Sequence, residues 1–305
     1  MSFHWVWRGL PFSGRILPSR GAHDPKRRGT VLKDALKAAT PAWLLAAYRR
    51  SLKGLRAAAR ILLPRRTCRV RNLVIEIGVS SEIEAFRAES YGTKEPETLD
   101  WLDAQLRNGD VFVDVGANIG LYSLYAAKRN PQCTVYAVEP ESQNFSRLCR
   151  NIVLSKAGNV VPCNFALSDR EAFDLLYVGS LEPGSALHSL GRPSEYRRSD
   201  EPVPLRQGTL SVTLDALVTR YGVPQPALLK VDVDGIEERI LDGAEAVLAS
   251  PVLRAVLVEV TMRDGSADAD MEKRLDRFGF RLLRASDWIA ALNGLRSHNL
   301  IFGRR

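Results

Sequence analysis

From about residue 70 onward, the order of apolar and polar positions predicts an alternating α/β chain. Short runs rich in β-branched and aromatic residues, at 111–115, 134–139, 160–167, 228–233 and 255–260, have the length and composition of buried strands. Helical spacing falls between most of them, at 121–129, 143–154 and 236–248, with further helices at 97–106 and 268–278. Strand and helix in alternation argue for a parallel sheet. Two closing segments, F-R-L-L-R and N-L-I-F-G, predict an antiparallel pair at one edge, and residues 70–88 read as a strand followed by a short polar segment.

Two stretches depart from this pattern. Between Asp169 and Thr209 the sequence is polar and punctuated by Gly179, Pro183, Gly184, Gly191, Pro193 and Pro202, with a hairpin starting near 173–178. About forty residues without strong periodicity inside a compact domain are usually a functional lid or a mobile loop. At the other end, residues 1–30 show no periodicity and read as disordered or loosely docked. Thr40 and Pro41 then look like a cap and first helical residue. The helix to Leu63 carries Leu44, Tyr48, Leu52, Leu55, Ala59 and Leu62 on one stripe and Arg49, Arg50, Lys53, Arg56 and Arg60 on other faces. Such a helix packs its stripe on the following domain, or lies on an anionic membrane as a peripheral contact.

Charge sharpens the division. The chain of 305 residues carries a formal charge of +8, but residues 1–70 hold sixteen Lys/Arg against two Asp/Glu, so the remainder is mildly acidic. A basic arm of residues 1–70 on a domain of residues 71–305 differs from a uniformly basic binder, and no nucleic-acid partner is expected. Cys68, Cys133, Cys149 and Cys163 show no metal spacing and read as buried thiols of a reducing compartment. The opening M-S-F-H-W-V-W is interrupted by Arg8 and Gly9, and no window reaches about 18 apolar residues without charge. A cytoplasmic chain without a span is expected, with possible contact to the inner membrane surface through the arm.

The chemistry centres on V-F-V-D-V-G-A-N-I-G at 111–120, a strand running into a tight turn and a helix start. Gly116 and Gly120 let the backbone turn sharply and approach a ligand closely. Nineteen residues after Gly120, Glu139 ends the second strand, where an acid holds a ribose diol. A dinucleotide fingerprint wants G-x-G-x-x-G, but the third glycine would fall at Leu121, and Asp114 ahead of the loop would repel a pyrophosphate. An acid there suits a ligand bearing an amine and a sulfonium, and S-adenosylmethionine is such a ligand.

Six stretches in register then carry a resemblance: Y-G-T-K-E-P-E-T at 91–98, D-V-G-A-N-I-G-L-Y-S at 114–123, V-E-P at 138–140, N-F-A-L-S-D at 164–169, T-L-D-A-L at 213–217 and K-V-D-V-D-G-I-E at 230–237. Together they resemble the FkbM family of S-adenosylmethionine-dependent methyltransferases over roughly residues 85–262. The resemblance implies a Rossmann-like class I methyltransferase fold, its sheet mostly parallel with an antiparallel edge. The basic helical arm lies outside it, and an insertion at about 170–209 covers the substrate. It also implies methyl transfer to a hydroxyl, often of a sugar or secondary metabolite, so that the acceptor is a small molecule or glycan. By position, Asp114, Gly116, Asn118 and Gly120 would hold the methionine half of the donor, Glu139 the ribose, and Ser168 and Asp169 the adenine side. Relatives usually read D-V-E-G where this chain has D-V-D-G, so Asp234 keeps the charge with a shorter reach.

A hydroxyl is a poor nucleophile until its proton leaves, so a general base or a metal is required. Open α/β sheets present ligands at the carboxyl ends of their strands. There Asp232 is the first candidate for the base, with Lys230 orienting it or steering the substrate oxygen. His188, alone in the long loop, is a further catalytic candidate, and Asp234 and Glu237 are read as substrate-side acids. Glu259 is a strand-end acid. An Asp232–Asp234–Glu259 cluster could hold Mg²⁺, but nothing in the spacing requires it, and no metal is expected. Two other classes compete: a nicotinamide-dependent oxidoreductase, disfavoured by the glycine order and Asp114, and a non-catalytic donor-binding adaptor using the arm.

Overall fold

The computed structural model describes Leu44, Tyr48, Arg50 and Ser51, and then residues 64–193, 203–261, 267–290 and 296–305. The chain divides into two compact units, Met1–Leu62 and Leu63–Arg305, and the architecture below is that of the second. Most of the basic arm, including the bulk of the 41–63 helix, lies outside the described residues. Among the described residues no helix is long and apolar enough to cross a membrane.

A hairpin of β1 (Arg65–Val70) and β2 (Leu73–Gly78) leads through α1 (Glu82–Glu89) and α2 (Pro96–Gln105) into the main sheet. There the chain alternates: β3 (Val111–Val115), α3 (Leu121–Arg129), β4 (Thr134–Val138), α4 (Ser142–Ser155) and β5 (Val160–Cys163). It leaves through β6 (Ala166–Leu167), β7 (Ala172–Val178), β8 (Ser189–Leu190) and β9 (Leu205–Val212). It returns by α5 (Leu214–Thr219), β10 (Leu228–Val231), α6 (Glu237–Asp242), α7 (Glu245–Ala249) and β11 (Ala255–Thr261). The closing elements are α8 (Ala267–Asp276), β12 (Phe280–Ala285), β13 (Ile289–Ala290) and β14 (Arg296–Arg304).

The main sheet runs in the order β12-β14-β11-β10-β3-β4-β5, with β13 beside β14. Strands β11, β10, β3, β4 and β5 are parallel, and β14 lies antiparallel to both β11 and β12, which is the expected edge. From β3 the chain winds outward to β5 and then back to β10 on the other side. The order therefore reverses between β3 and β10, and it is at such a reversal, at the carboxyl ends, that open α/β sheets bind their ligands.

Both faces are buried, as a parallel sheet requires. Alternate residues sort to opposite layers. Phe112, Leu228 and Leu257 join Trp101, Leu124, Tyr125 and Leu148 on one side. Val113, Val115, Leu229, Val231 and Val258 join Ile240, Leu248 and Leu275 on the other. Two polar residues interrupt the first layer, Asp114 and Lys230, which are register partners across β3 and β10.

The structure corrects several boundaries, each for a physical reason. Residues 70–88 form part of the β1–β2 hairpin and then α1; the turn uses Arg71 at φ 54, held by Asp100 and Asp103, where a glycine would have signalled it. The single helix expected at 236–248 is two, broken at Gly243. A Cβ there would sit 2.1 Å from the Ser168 carbonyl oxygen. The second helix is capped from afar, with Ala246 and Val247 N–H donating to the Asp215 carboxylate at 2.9 Å. The run 160–167 splits between two sheets, and the strand expected at 228–233 ends at Val231.

The largest correction concerns the long loop. Much of it forms a second sheet, β6-β9-β7-β8, in which β7 and β9 pair from Ala172↔Ser211 to Val178↔Leu205. Its pattern is inverted in β9, where Thr209 and Ser211 are buried while Leu205 and Leu210 are exposed. Hydrophobic alternation could not announce such a strand. Of the cysteines, Cys68 and Cys133 are buried, but Cys149 and Cys163 are only partly so.

Candidate functional site

The turn between β3 and α3 is held in left-handed backbone at Gly116 (φ 80), Asn118 (φ 51) and Gly120 (φ 93). The N–H groups of Gly116 and Ala117 both donate to the Val138 carbonyl at 3.0 Å, which ties the turn to the end of β4. The close approach made by these glycines is to the protein's own chain. A Cβ on Gly116 would lie 1.8 Å from the Asp232 carbonyl oxygen, and one on Gly120 2.5 Å from Leu148 Cδ1. Gly116→Ala is therefore expected to destabilise the domain by about 2–5 kcal/mol, from overpacking and left-handed strain together. An unchanged melting temperature would refute this packing role.

Beyond the turn, Glu139 is buried, and its two carboxylate oxygens accept from the N–H groups of Asn118 and Glu141, each at 2.8 Å. Burial nevertheless pushes its carboxyl up to about 8, with Glu141 and Asp234 adding repulsion. Ser168 is buried and donates to Asp169, which also receives Arg239 Nη2 at 2.8 Å. Burial acts to raise the Asp169 carboxyl, but the hydrogen bonds from Arg239 and Ser168 outweigh it and hold the group below its usual range.

At the reversal itself stands Lys230, with 1% of its side chain exposed. Its ammonium donates to Asp232 Oδ2 at 2.5 Å, lies 3.8 Å from Asp114 Oδ1, and sits 5.1 Å from the centre of the Tyr122 ring. Burial acts to lower its pKa, but Asp232 and Asp114 overcome this and keep it charged. Asp232 responds in kind: burial works upward, and the Lys230 charge and hydrogen bond carry it below the usual carboxylate range. A quarter of the Asp232 side chain remains exposed, so this ionised carboxylate reaches solvent at the end of β10. Asp114 is fully enclosed, accepts from Ser123 Oγ at 2.6 Å through Oδ2, and keeps Oδ1 without a hydrogen-bond partner.

Two further groups reach this cluster from the segment before α2. Tyr122 Oη donates to Glu95 Oε2 at 2.8 Å, and Lys94 Nζ to Glu95 Oε1 at 2.7 Å. Sequence reasoning gave neither Lys94 nor Glu95 a role. The only signal was their place inside the Y-G-T-K-E-P-E-T stretch.

His188 and Asp234 are brought together, but not at the Lys230 cluster. The backbone N–H of His188 donates to Asp234 Oδ2 at 3.0 Å, with Leu187 N–H on the same carboxylate. The His188 ring accepts from Gly179 N–H through Nδ1 and meets Ser185 Oγ through Nε2 at 3.2 Å. Ser185 in turn presents its carbonyl to the side-chain amides of Asn118 at 2.8 Å and Asn144 at 3.0 Å. The segment around 180–188 is thus a strap fastened to the β3–α3 turn and to α4. Burial and the neighbouring Asp232 push Asp234 up to about 6, and burial pushes Glu237, which accepts from Gly235 N–H at 3.2 Å, up to about 8. Among the described residues no group of three or more His, Cys, Asp or Glu is placed to hold a metal ion.

A sheet that reverses at β3/β10, ends antiparallel, and carries acids at the tips of β3, β4 and β10 defines a class I S-adenosylmethionine-dependent methyltransferase. The family model for the methyltransferase FkbM domain matches residues 114–282, and the chain belongs to that family. It is similar to 31-O-demethyl-FK506 methyltransferase FkbM of Streptomyces tacrolimicus, 33% identical over 204 residues, or 60% of this chain and 77% of that protein. It is also similar to hexuronic acid methyltransferase AglP of Haloferax volcanii, at 27% identity, covering 69% of this chain and 77% of that one. Its cofactor is S-adenosylmethionine. The donor set agrees, since acids rather than backbone-cradled anion sites line this end of the sheet, with Glu139 at the tip of β4 and the enclosed Asp114 behind the turn, which suits a cationic ligand bearing a diol better than a pyrophosphate.

Proposed function

We propose that the chain transfers methyl to a hydroxyl oxygen of a sugar or secondary metabolite, with Asp232 as the group that takes the hydroxyl proton. The observation that carries this is the half-open Asp232 carboxylate, kept ionised by a fully buried Lys230 at the strand-order reversal. S-adenosylmethionine, when bound, supplies a methyl carbon made electrophilic by its sulfonium. The chain's own work is to hold the acceptor oxygen in line, which provides much of the rate. An acidified carboxylate is a modest base, but the hydroxyl proton becomes acidic as the new O–C bond forms, so Asp232 needs only to receive it late. Lys230 touches no acceptor in this reading and positions Asp232 instead.

The turn of Gly116, Asn118 and Gly120, with the enclosed Asp114 behind it, lies beside the methionine half of the donor, Glu139 takes the ribose diol, and Ser168 and Asp169 flank the adenine. His188 and Asp234 shape the acceptor side through the strap, and Glu237 borders it. The names of the two relatives, one acting on a 31-O position and one on a hexuronic acid, support hydroxyl acceptors of this kind. The test is incubation of purified protein and methyl-labelled donor with cell-envelope and metabolite extracts, followed by identification of the labelled product. Label on nitrogen or carbon would overturn the oxygen assignment.

Glu139 sets a pH dependence. A ribose diol donates to an ionised carboxylate, whereas this one holds its proton to about pH 8. Donor affinity is expected to rise between pH 6 and pH 9, with a proton released on binding, and Glu139→Gln should flatten that rise in calorimetry. The same raised carboxyl stabilises the fold fully below the ordinary glutamate range and loses that contribution as pH rises through about 8. A donor affinity independent of pH in the unsubstituted protein would refute the ribose role.

A further inference from the structure

The segment that precedes α2 is built as a fixed turn. The N–H groups of Thr93 and Lys94 both donate to the Ser90 carbonyl at 3.0 Å, and Gly92 holds left-handed backbone at φ 99. Two of its side chains are fastened to the first turn of α3, which follows directly on Gly120. The buried Tyr91 donates through Oη to the Leu121 carbonyl, and the buried Glu95 accepts from Tyr122 Oη at 2.8 Å. Glu95 stands at the N-cap of α2, where its carboxylate could accept from the first N–H groups of its own helix, as Glu141 does at α4. It makes no such bond. Its oxygens go instead to Tyr122 and, at 2.7 Å, to the Lys94 ammonium. The same Tyr122 ring lies 5.1 Å from the Lys230 ammonium, which bonds to Asp232. A chain of contacts thus runs from Lys94 to the start of α3 and on to the end of β10.

Lys94 itself remains open. Its side chain is 42% exposed against 7% for Glu95, and Glu95 occupies one of its three N–H donors. Burial acts to lower its pKa, but Glu95 outweighs this and keeps the ammonium charged. S-adenosylmethionine bears an α-carboxylate, whereas the groups read above as holding the donor are acids, glycines, a serine and an asparagine. None of them is a cation. We propose that Lys94 binds the α-carboxylate of S-adenosylmethionine, with Glu95 and Tyr122 as positioning residues that fix its ammonium. This rests on the reading that the β3–α3 turn lies beside the methionine half of the donor. Lys230 does not serve, because it is enclosed and already held by Asp232 and Asp114. A lysine that acted only as a solvated surface charge would need no buried carboxylate and no pinned loop to hold it, since exposed ion pairs contribute little.

The experiment is calorimetry of the full chain with two probes, S-adenosylmethionine and its decarboxylated form, which keeps the amine, sulfonium and ribose and lacks only the carboxylate. The unsubstituted protein should bind S-adenosylmethionine about ten- to a hundredfold more tightly, the worth of a charge-assisted hydrogen bond. Lys94→Met should erase most of that difference by weakening S-adenosylmethionine, with the decarboxylated form binding as before. Lys94→Arg should retain part of it. Tyr122→Phe, which releases one side of Glu95, should narrow the difference by about threefold or more, again without loss for the decarboxylated form. Equal weakening of both probes by Lys94→Met, or full affinity for S-adenosylmethionine in that variant, overturns this inference alone, as does an unsubstituted protein that binds both probes alike. Glu139→Ala separates it from the donor placement, because both probes share the ribose and both should weaken. If neither weakens, the donor does not lie as read, and the proposal falls with that reading.

Discussion

Asp232→Asn is expected to lower methyl transfer by about two to four orders of magnitude, the usual contribution of a positioned base, while donor affinity changes little. The amide still accepts from Lys230, so the side chain keeps its place, but it cannot take a proton. Single-turnover transfer of labelled methyl, alongside donor binding measured by calorimetry, separates the two effects. Asp234→Asn is the informative companion, because that carboxylate accepts from the strap backbone at His188 and Leu187. If Asp234→Asn loses the chemistry and Asp232→Asn does not, the base lies on the strap side of the site.

The second large effect falls on stability. Lys230→Met removes a cation bonded to Asp232 and 3.8 Å from Asp114 Oδ1. It leaves the enclosed Asp114 with an oxygen that already lacks a hydrogen-bond partner. Breaking a buried pair from one side typically costs about 3–5 kcal/mol, here roughly 6–20 °C in melting temperature. Adding Asp114→Asn removes the stranded charge and should recover part of the loss, whereas additive losses in the double variant would show that the two groups do not couple.

The central sheet was legible because its strands are buried on both faces and flanked by amphipathic helices of ordinary length. Helix α3 begins and ends where its spacing predicts, at Leu121 and Arg129. The antiparallel edge was legible from its short apolar closing runs, since F-R-L-L-R and N-L-I-F-G each lie within an observed strand, although the first is largely exposed. What escaped depended on partners distant in sequence. Nothing near Glu245 indicates that Asp215 will cap the helix there, and nothing near Arg71 indicates that two aspartates of α2 will hold a turn without glycine. In the candidate site, the Asp114–Lys230–Asp232 grouping follows from strand register and motif together. Glu95 and Tyr122 do not, because only the packing of α2 and α3 on the sheet brings that carboxylate to that phenol. His188 was singled out for its imidazole, yet the structure also engages its backbone N–H, with Asp234.

The way the second sheet is attached bears on how members of this family diverge. Its first strand, β6, pairs in parallel with its last in sequence, β9, through Ala166↔Ser211 and Leu167↔Val212. The chain therefore departs from the donor-holding half and rejoins it at neighbouring points, like a cassette plugged in through two adjacent pins. Lengthening the path between Val178 and Leu205 moves neither pin, and each doubling of a flexible connection costs only about 0.6 kcal/mol of closure entropy. Beyond the strap at 180–188, which is tied to Asn118, Asn144 and Asp234, a change in length between Leu190 and Leu205 is thus uncoupled from the register of β3, β4 and β10. On the proposed reading, the acceptor side can therefore be resized between Leu190 and Leu205 while the two pins and the strap stay where they are.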